Sequence, residues 1–207
     1  MEPAFLITAF ATLFVIIDPI GLAPLFVALT QGMSPKERRA IAIRACLVGF
    51  AILLLFGFVG EALLDFVGIS MPAFRIAGGA LLFLTALDML FERRQERRDG
   101  QAVDRPDPSV FPLAVPLIAG PGAIATMILL TGQSEGDLAA TFAIHGVMGA
   151  VVLITLLFFL AGGLIERVLG RVGINIVTRL LGMLLAALAV QFILTGLAES
   201  GFATGAA

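Results

Sequence analysis

The chain has 207 residues, of which 59% are hydrophobic, with a mean hydropathy of +1.07 and a formal net charge of −2. An ordinary soluble domain contains roughly 45–50% apolar residues, so this composition excludes a water-soluble fold. Each helical membrane span needs about 20 apolar residues, which leaves room for six spans and none for a soluble catalytic domain. The single cysteine, Cys46, excludes an intramolecular disulfide and a thiolate metal cluster.

Six apolar segments follow one another, and they predict an all-α membrane protein with a single membrane domain over residues 1–207. The segments are residues 4–29, 40–64, 71–91, 110–130, 138–165 and 174–197. No basic region precedes the first of them, so we expect it to be a span rather than a signal peptide. The tetrapeptide Ser34-Pro35-Lys36-Glu37 is typical of a capping box with proline at the first helical position, which predicts that the second long helix begins there.

Basic residues are concentrated in the first, third and fifth polar interruptions. Twelve of the thirteen lie there: Lys36, Arg38, Arg39, Arg44, Arg93, Arg94, Arg97, Arg98, Arg105, Arg167, Arg171 and Arg179. Lysine and arginine mark the cytoplasmic side, so both termini are predicted to lie outside. Residues 92–109 are predicted to be a cytoplasmic linker, whose interleaved acidic residues argue against a nucleic-acid partner.

An internal repeat is visible across that linker. Pro19 matches Pro121 at an offset of 102, Ala42-Ile43-Arg44 matches Ala143-Ile144-His145 at 101, and Arg75-Ile76-Ala77-Gly78 matches Arg179-Leu180-Leu181-Gly182 at 104. Residues 1–91 and 110–207 are thus predicted to be two three-span repeats. Because three is an odd number, the second repeat must enter the membrane from the opposite side, as in the inverted repeats of many transporters.

The first and fourth spans are both interrupted near their middles. In the first span, Asp18 can cap a new helix at Pro19, and Pro24 lacks the N–H that would bond the residue 20 carbonyl, so residues 18–24 are expected to be irregular. In the fourth span, Pro112 and Pro116 weaken the first half and Gly120-Pro121-Gly122 ends it. Each span is therefore predicted to consist of two half-helices.

These breaks predict a shared binding site, because unpaired backbone groups are tolerated at membrane depth only where protein or a water-filled cavity receives them. The positive helix N-termini suit a solute carboxylate, and Asp18 suits a solute ammonium group, a cation or a transported proton. The candidate binding residues are Asp18, Pro19, Gly21, Pro24, Gly120, Pro121, Gly122 and Thr126. The alternative is a pair of proline kinks that only shape the helix bundle, with the Thr126 hydroxyl bonded to its own helix.

A second set of polar residues comprises candidates for ion coupling or for the solute pathway. These are Asp18, Arg44, Asp88, His145 and Gln191. The alternative for the last four is solvation or snorkelling at the membrane interface. A lone histidine predicts no metal site, and we expect no cofactor and no enzymatic activity; the candidate coupling ions are H⁺ and Na⁺.

Two segments resemble a known family. Residues 17–26, Ile-Asp-Pro-Ile-Gly-Leu-Ala-Pro-Leu-Phe, and residues 116–124, Pro-Leu-Ile-Ala-Gly-Pro-Gly-Ala-Ile, look like the signature segments of the MarC family, also called the neutral amino acid transporter family. The resemblance continues through residues 75–84 and covers essentially the whole chain. Unusually, the chain has neither Trp nor Tyr, so Phe and Arg must anchor it at the membrane interfaces.

The resemblance implies a six-span protein of a bacterial or archaeal inner membrane, with relatives that move small neutral amino acids such as glycine and alanine. Its motif falls on Asp18, Pro19, Gly21 and Pro24, and on the triplet Gly120-Pro121-Gly122. The leading hypothesis is therefore an alternating-access transporter of small zwitterionic solutes. The alternatives are a membrane-embedded interaction protein without transport activity and a small-solute channel; a homo-oligomer is compatible with either.

Overall fold

The structure, a computed structural model, describes residues 3–91, 107–134 and 137–201. The regular elements in these ranges are all helices: α1 (Pro3–Ile17), α2 (Pro19–Leu29), α3 (Pro35–Val67), α4 (Met71–Leu90), α5 (Pro121–Gly132), α6 (Leu138–Leu160) and α7 (Gly162–Glu199). An irregular segment, Ser109–Ile118, precedes α5. The predicted linker falls largely on residues 92–106, which lie outside the described ranges.

Five stretches of helix in the described residues are long and apolar enough to cross a membrane. The first of them, Ala4–Leu29, combines α1 and α2. A sixth span results if Ser109–Ile118 and Pro121–Gly132, which are bent by 51°, are taken together. The predicted all-helical membrane fold is confirmed.

Helix starts follow the signals in the sequence. At α3, the Ser34 N–H donates to Glu37 Oε2 (2.8 Å), and the Glu37 N–H donates to Ser34 Oγ (3.3 Å), which completes the predicted capping box. Ser70 and Asp137 cap α4 and α6 in the same way through their side-chain oxygens. Each cap satisfies backbone donors that the first helical turn leaves without partners.

The third spans of the two halves, α4 and α7, pack against each other through glycines. A Cβ added to Gly79 of α4 would lie 2.8 Å from the Ala189 carbonyl oxygen, and one added to Gly196 of α7 would lie 2.9 Å from that of Pro72. Residue numbers rise along α4 as they fall along α7, so the two helices are antiparallel. Such close approach is typical of small residues between membrane helices.

The broken spans pack across the two halves. Helices α1 and α2 lie on α6, where the rings of Phe26 and Phe159 stack with centroids 4.6 Å apart. The segment 109–118 and α5 lie on α3, where Gly49 receives Ile118 and a Cβ on that glycine would come within 2.6 Å of the isoleucine side chain. The buried core lies between these packed pairs.

Two predictions about the breaks need correction. Residues 19–24 are helical, because α2 begins at Pro19 and continues through Pro24, so only Asp18 leaves helical geometry in the first span. The first half of the fourth span is not an α-helix, because a proline disfavours the α conformation of the residue before it. Phe111 (φ −123°, ψ 120°) and Val115 (φ −126°, ψ 123°) are accordingly extended, each followed by a cis peptide bond to proline.

Candidate functional site

The break in the first span consists of one residue. Asp18 adopts a left-handed conformation (φ 55°, ψ 63°), and its side-chain Oδ1 accepts a hydrogen bond from the Gly21 N–H (3.0 Å). Aspartate is one of the few residues that tolerate this conformation, because its short polar side chain bonds locally. The side chain is fully buried, so the carboxyl group that caps α2 lies inside the protein.

Gly21 is required by this cap. A Cβ at position 21 would lie 2.2 Å from Asp18 Oδ2 and 2.8 Å from its Cγ. Any larger residue would push the carboxylate off the first turn of α2. The occurrence of glycine three residues after Asp18 therefore has a steric explanation.

The second break has a different construction. The N–H groups of Leu113 and Ala119 donate to carbonyls five residues earlier, Pro108 (3.2 Å) and Ala114 (2.8 Å), so this segment forms wide turns. Gly120 then passes so close to the segment that an added Cβ would lie 2.4 Å from the Pro116 carbonyl oxygen.

No side chain among the described residues caps the helix that starts at Pro121. The Ile124 N–H, the first in the helix to find a helical acceptor, donates to the Gly120 carbonyl (3.0 Å). The N–H groups of Gly122 and Ala123 therefore point out of the helix end. In contrast to α2, the positive end of α5 is not capped by a carboxyl group from any residue in the described ranges.

The structure brings the two breaks together. A Cβ on Gly122 would lie 3.6 Å from Ile16 Cγ2, 3.2 Å from Leu82 Cδ2 and 3.7 Å from Thr85 Oγ1. Ile16 precedes Asp18 by two residues, which span at most about 7 Å. The start of α5 and the acidic turn of the first span are thus neighbours at the junction of α1, α4 and α5.

Thr126 lies one helical turn after Gly122 on the same side of α5. Its side chain is fully buried, and its Oγ makes no hydrogen bond with any residue that the structure describes. The alternative of a bond back to its own helix is therefore not realised. By comparison, the neighbouring Thr131 does bond back to the Met127 carbonyl (2.9 Å).

Arg44 is paired elsewhere. Its guanidinium forms an ion pair with Asp107, which joins α3 to the start of the second half. Hydrogen bonding from Ser109, with a smaller contribution from the Arg44 charge, lowers the pKa of Asp107. This arrangement favours a structural role for Arg44 at the membrane surface.

His145 is buried against α3. Its Nδ1 lies 2.7 Å from the Thr141 carbonyl, and its ring stacks on Phe58 with centroids 4.0 Å apart. A Cβ on Gly57 would lie 2.4 Å from its Nε2, so the ring fits only beside a glycine. Of two further candidates, Asp88 is half-buried near the end of α4. Gln191 lies well inside α7, is exposed and donates to Thr195 Oγ (3.3 Å).

Sequence reasoning missed the apolar walls of the junction, Ile16 and Leu82, because nothing in an apolar run marks which residues face a break. No group of three metal-ligating His, Cys, Asp or Glu side chains occurs within residues 3–91, 107–134 and 137–201.

Comparison with known proteins identifies the family of the chain. The family model described as "MarC family integral membrane protein" matches residues 4–200. The chain belongs to the MarC family. The resemblance stated from the sequence is confirmed, and this MarC protein is a multi-pass membrane protein.

Its relatives match over nearly their full lengths. A "UPF0056 membrane protein" of Archaeoglobus fulgidus is 40% identical over 95% of this chain and 93% of its own. "UPF0056 membrane protein YvbG" of Bacillus subtilis is 35% identical over 94% of each chain. "UPF0056 inner membrane protein YhgN" of Escherichia coli K12 is 34% identical over 93% of this chain and 95% of its own. No solved structure matches the chain.

Proposed function

We propose that this MarC protein carries small neutral amino acids, or similar small zwitterions, across the cytoplasmic membrane by alternating access. The observation that supports it is the meeting of the two broken spans, where Gly122 of α5 packs beside Ile16, two residues before Asp18. Both breaks lie near the middles of their spans. Irregular backbone at that depth is tolerated only where protein or a water-filled cavity receives its polar groups, and a solute site between the two breaks is such a place.

The chemistry at the junction suits a zwitterion. A carboxylate at Asp18 can accept several hydrogen bonds, so the residue that caps α2 also suits an ammonium group of the solute. Backbone N–H groups at a helix N-terminus suit the carboxylate at the other end of the solute. The proposal needs no cofactor and no chemical conversion of the solute, only coupling to a gradient of H⁺ or Na⁺.

Reciprocal contacts support the inverted repeat, a plan that many alternating-access transporters share. The carbonyl oxygen of Ala189 faces Gly79, and that of Ala86 faces Gly182, at 2.8 Å and 3.3 Å from the added Cβ positions. The two glycines are 103 positions apart, and so are the two alanines. Exchanged contacts of this kind between antiparallel helices are what a pseudo-two-fold axis in the membrane plane would produce, and they support the proposed inverted repeat.

A second pair of contacts, between the broken spans and other helices, repeats the pattern. Gly60 of α3 approaches Ile128 of α5, with an added Cβ 2.3 Å from the isoleucine side chain. Gly162 of α7 approaches Val27 of α2 at 2.8 Å by the same measure. The glycines are 102 positions apart and their partners 101. Each broken span therefore packs on an equivalent glycine of the other half.

The test is uptake of labelled glycine and alanine into liposomes that contain the purified protein. Asp18→Asn removes the ionisable carboxyl group but keeps a residue that caps helices and tolerates the left-handed conformation. We expect uptake by the wild type and at least a tenfold loss in Asp18→Asn. The matched control is Asp65→Asn, which removes an exposed carboxylate at the end of α3 and should leave uptake unchanged.

Imposed gradients of H⁺ and Na⁺, applied separately, will identify the coupling ion. An accessibility assay with membrane-impermeant reagents on engineered terminal cysteines will test the predicted outward termini. Absence of both uptake and ligand-induced thermal stabilisation of the wild type by any small neutral amino acid would overturn the proposal.

A further inference from the structure

The two helix ends at the junction are not equivalent. At α2, the Asp18 carboxylate already occupies the first turn, and its Oδ1 accepts the Gly21 N–H. Ile20 stands in α2 where Gly122 stands in α5, so a bulky side chain follows the proline in one helix and none in the other. At α5, no side chain of the described residues caps the first turn.

A second, independent feature points to a ligand at α5. Thr126 is fully buried, and its hydroxyl has no hydrogen-bond partner among the described residues. Thr126 follows Gly122 by four residues, about one helical turn, so its side chain lies on the same face of α5 as Gly122, next to the first turn. A buried hydroxyl without a partner is costly, and a bound acceptor would remove that cost.

We infer that the first turn of α5 is the carboxylate site, in which the N–H groups of Gly122 and Ala123 and the Thr126 hydroxyl donate to the solute. This inference rests on the proposed function and specifies the orientation of the solute: its carboxylate lies at α5 and its ammonium group toward Asp18. The first turn of α2 does not bind the solute carboxylate, because the Asp18 carboxyl group already occupies it.

The same geometry limits the size of the solute. Ile16 Cγ2 and Leu82 Cδ2 lie 3.6 Å and 3.2 Å from the position of a Cβ on Gly122, so two apolar side chains close the space next to the site. A hydrogen atom or a methyl group on the solute α-carbon needs little of that space, whereas a branched side chain needs one of these walls to move. Ile16 and Leu82 are therefore specificity-determining residues.

The experiment measures KM for glycine uptake and the range of accepted solutes. Thr126→Val removes the hydroxyl at nearly constant volume and should raise KM about tenfold, as expected for one hydrogen bond to a charged group. Thr126→Ser restores a hydroxyl and should restore KM. The matched control is Thr131→Val, on the same helix, whose hydroxyl is bonded to its own backbone and whose loss should not change KM.

Two further measurements test the orientation of the bound solute and the limit on its size. Glycinamide, which keeps the ammonium group and lacks the carboxylate, should not compete with glycine. Ile16→Ala and Leu82→Ala should each allow valine uptake. Glycine uptake should fall only slightly in both variants. If the wild type transports glycine but Thr126→Val behaves like Thr131→Val, or both alanine variants keep the wild-type range, the inference is wrong while the proposed function stands. If the wild type transports no zwitterion, both are wrong.

Discussion

Substituting Gly21 with alanine is expected to destabilise the protein, because the added methyl group would collide with the Asp18 carboxylate. The added Cβ would lie 2.2 Å from Asp18 Oδ2, and ordinary contact requires 3.4 Å or more. The carboxylate must therefore retreat by more than an ångström, which breaks its 3.0 Å hydrogen bond with the residue 21 N–H. Loss of a cap costs about 1 kcal/mol and crowding about 1–3 kcal/mol, partly offset by about 0.5–1 kcal/mol because alanine favours the helix. The net expected loss is about 2 kcal/mol.

A double-mutant cycle isolates this effect. Asp18→Gly removes the obstructing side chain, keeps the left-handed conformation, and should cost only a few tenths of a kcal/mol as a cap replacement. In that background Gly21→Ala should be neutral or stabilising by about 0.5 kcal/mol, which gives a coupling energy of about 2–3 kcal/mol. The free energies are measured by denaturant unfolding in bicelles.

A control substitution separates local strain from a general effect of alanine. Gly146 lies within α6, and a Cβ there meets nothing within 4 Å, so Gly146→Ala should not destabilise. Equal costs for Gly21→Ala with and without the Asp18 side chain would refute the capping geometry at the first break.

Two predictions concern the ion pairs. Hydrogen bonding from Ser109 and the charge of Arg44 lower the pKa of Asp107 in the folded protein. Its ionised form therefore stabilises the fold at any pH above its pKa in the unfolded chain, about 3.9, and this contribution is lost as pH falls through the lower pKa of the folded state. Asp107→Asn should therefore be less stable than the wild type at pH 7, and the difference should shrink as pH falls below about 4; a constant difference would contradict this. Arg75 is buried, whereas its partner Glu199 is half-exposed, so Glu199→Gln, which leaves a buried charge without its counter-ion, should destabilise more than Arg75→Met, by about 1 kcal/mol in the same unfolding assay.

Local chemistry explains which features could be predicted from the sequence. The capping box at Ser34, the helix start at Pro121 and the interruption at Asp18 depend on residues within a few positions of each other. The extent of each interruption was less predictable. Pro24 lies within an intact α2 because a proline removes one backbone bond, which neighbouring packing can compensate, whereas Pro112 and Pro116, four residues apart, leave no complete helical turn between them.

By itself, the sequence determined the membrane class, the caps and the positions of the two breaks, because composition and short-range backbone chemistry suffice for these. Only the tertiary structure decided that the breaks meet, that Ile16 and Leu82 enclose Gly122, and that Thr126 has no partner in the described residues while Thr131 has one. The physical reason is that membrane helices are apolar on every face, so hydrophobic periodicity does not indicate which side of a helix contacts which neighbour. That choice depends on close backbone contacts at glycines, which only the assembled bundle reveals.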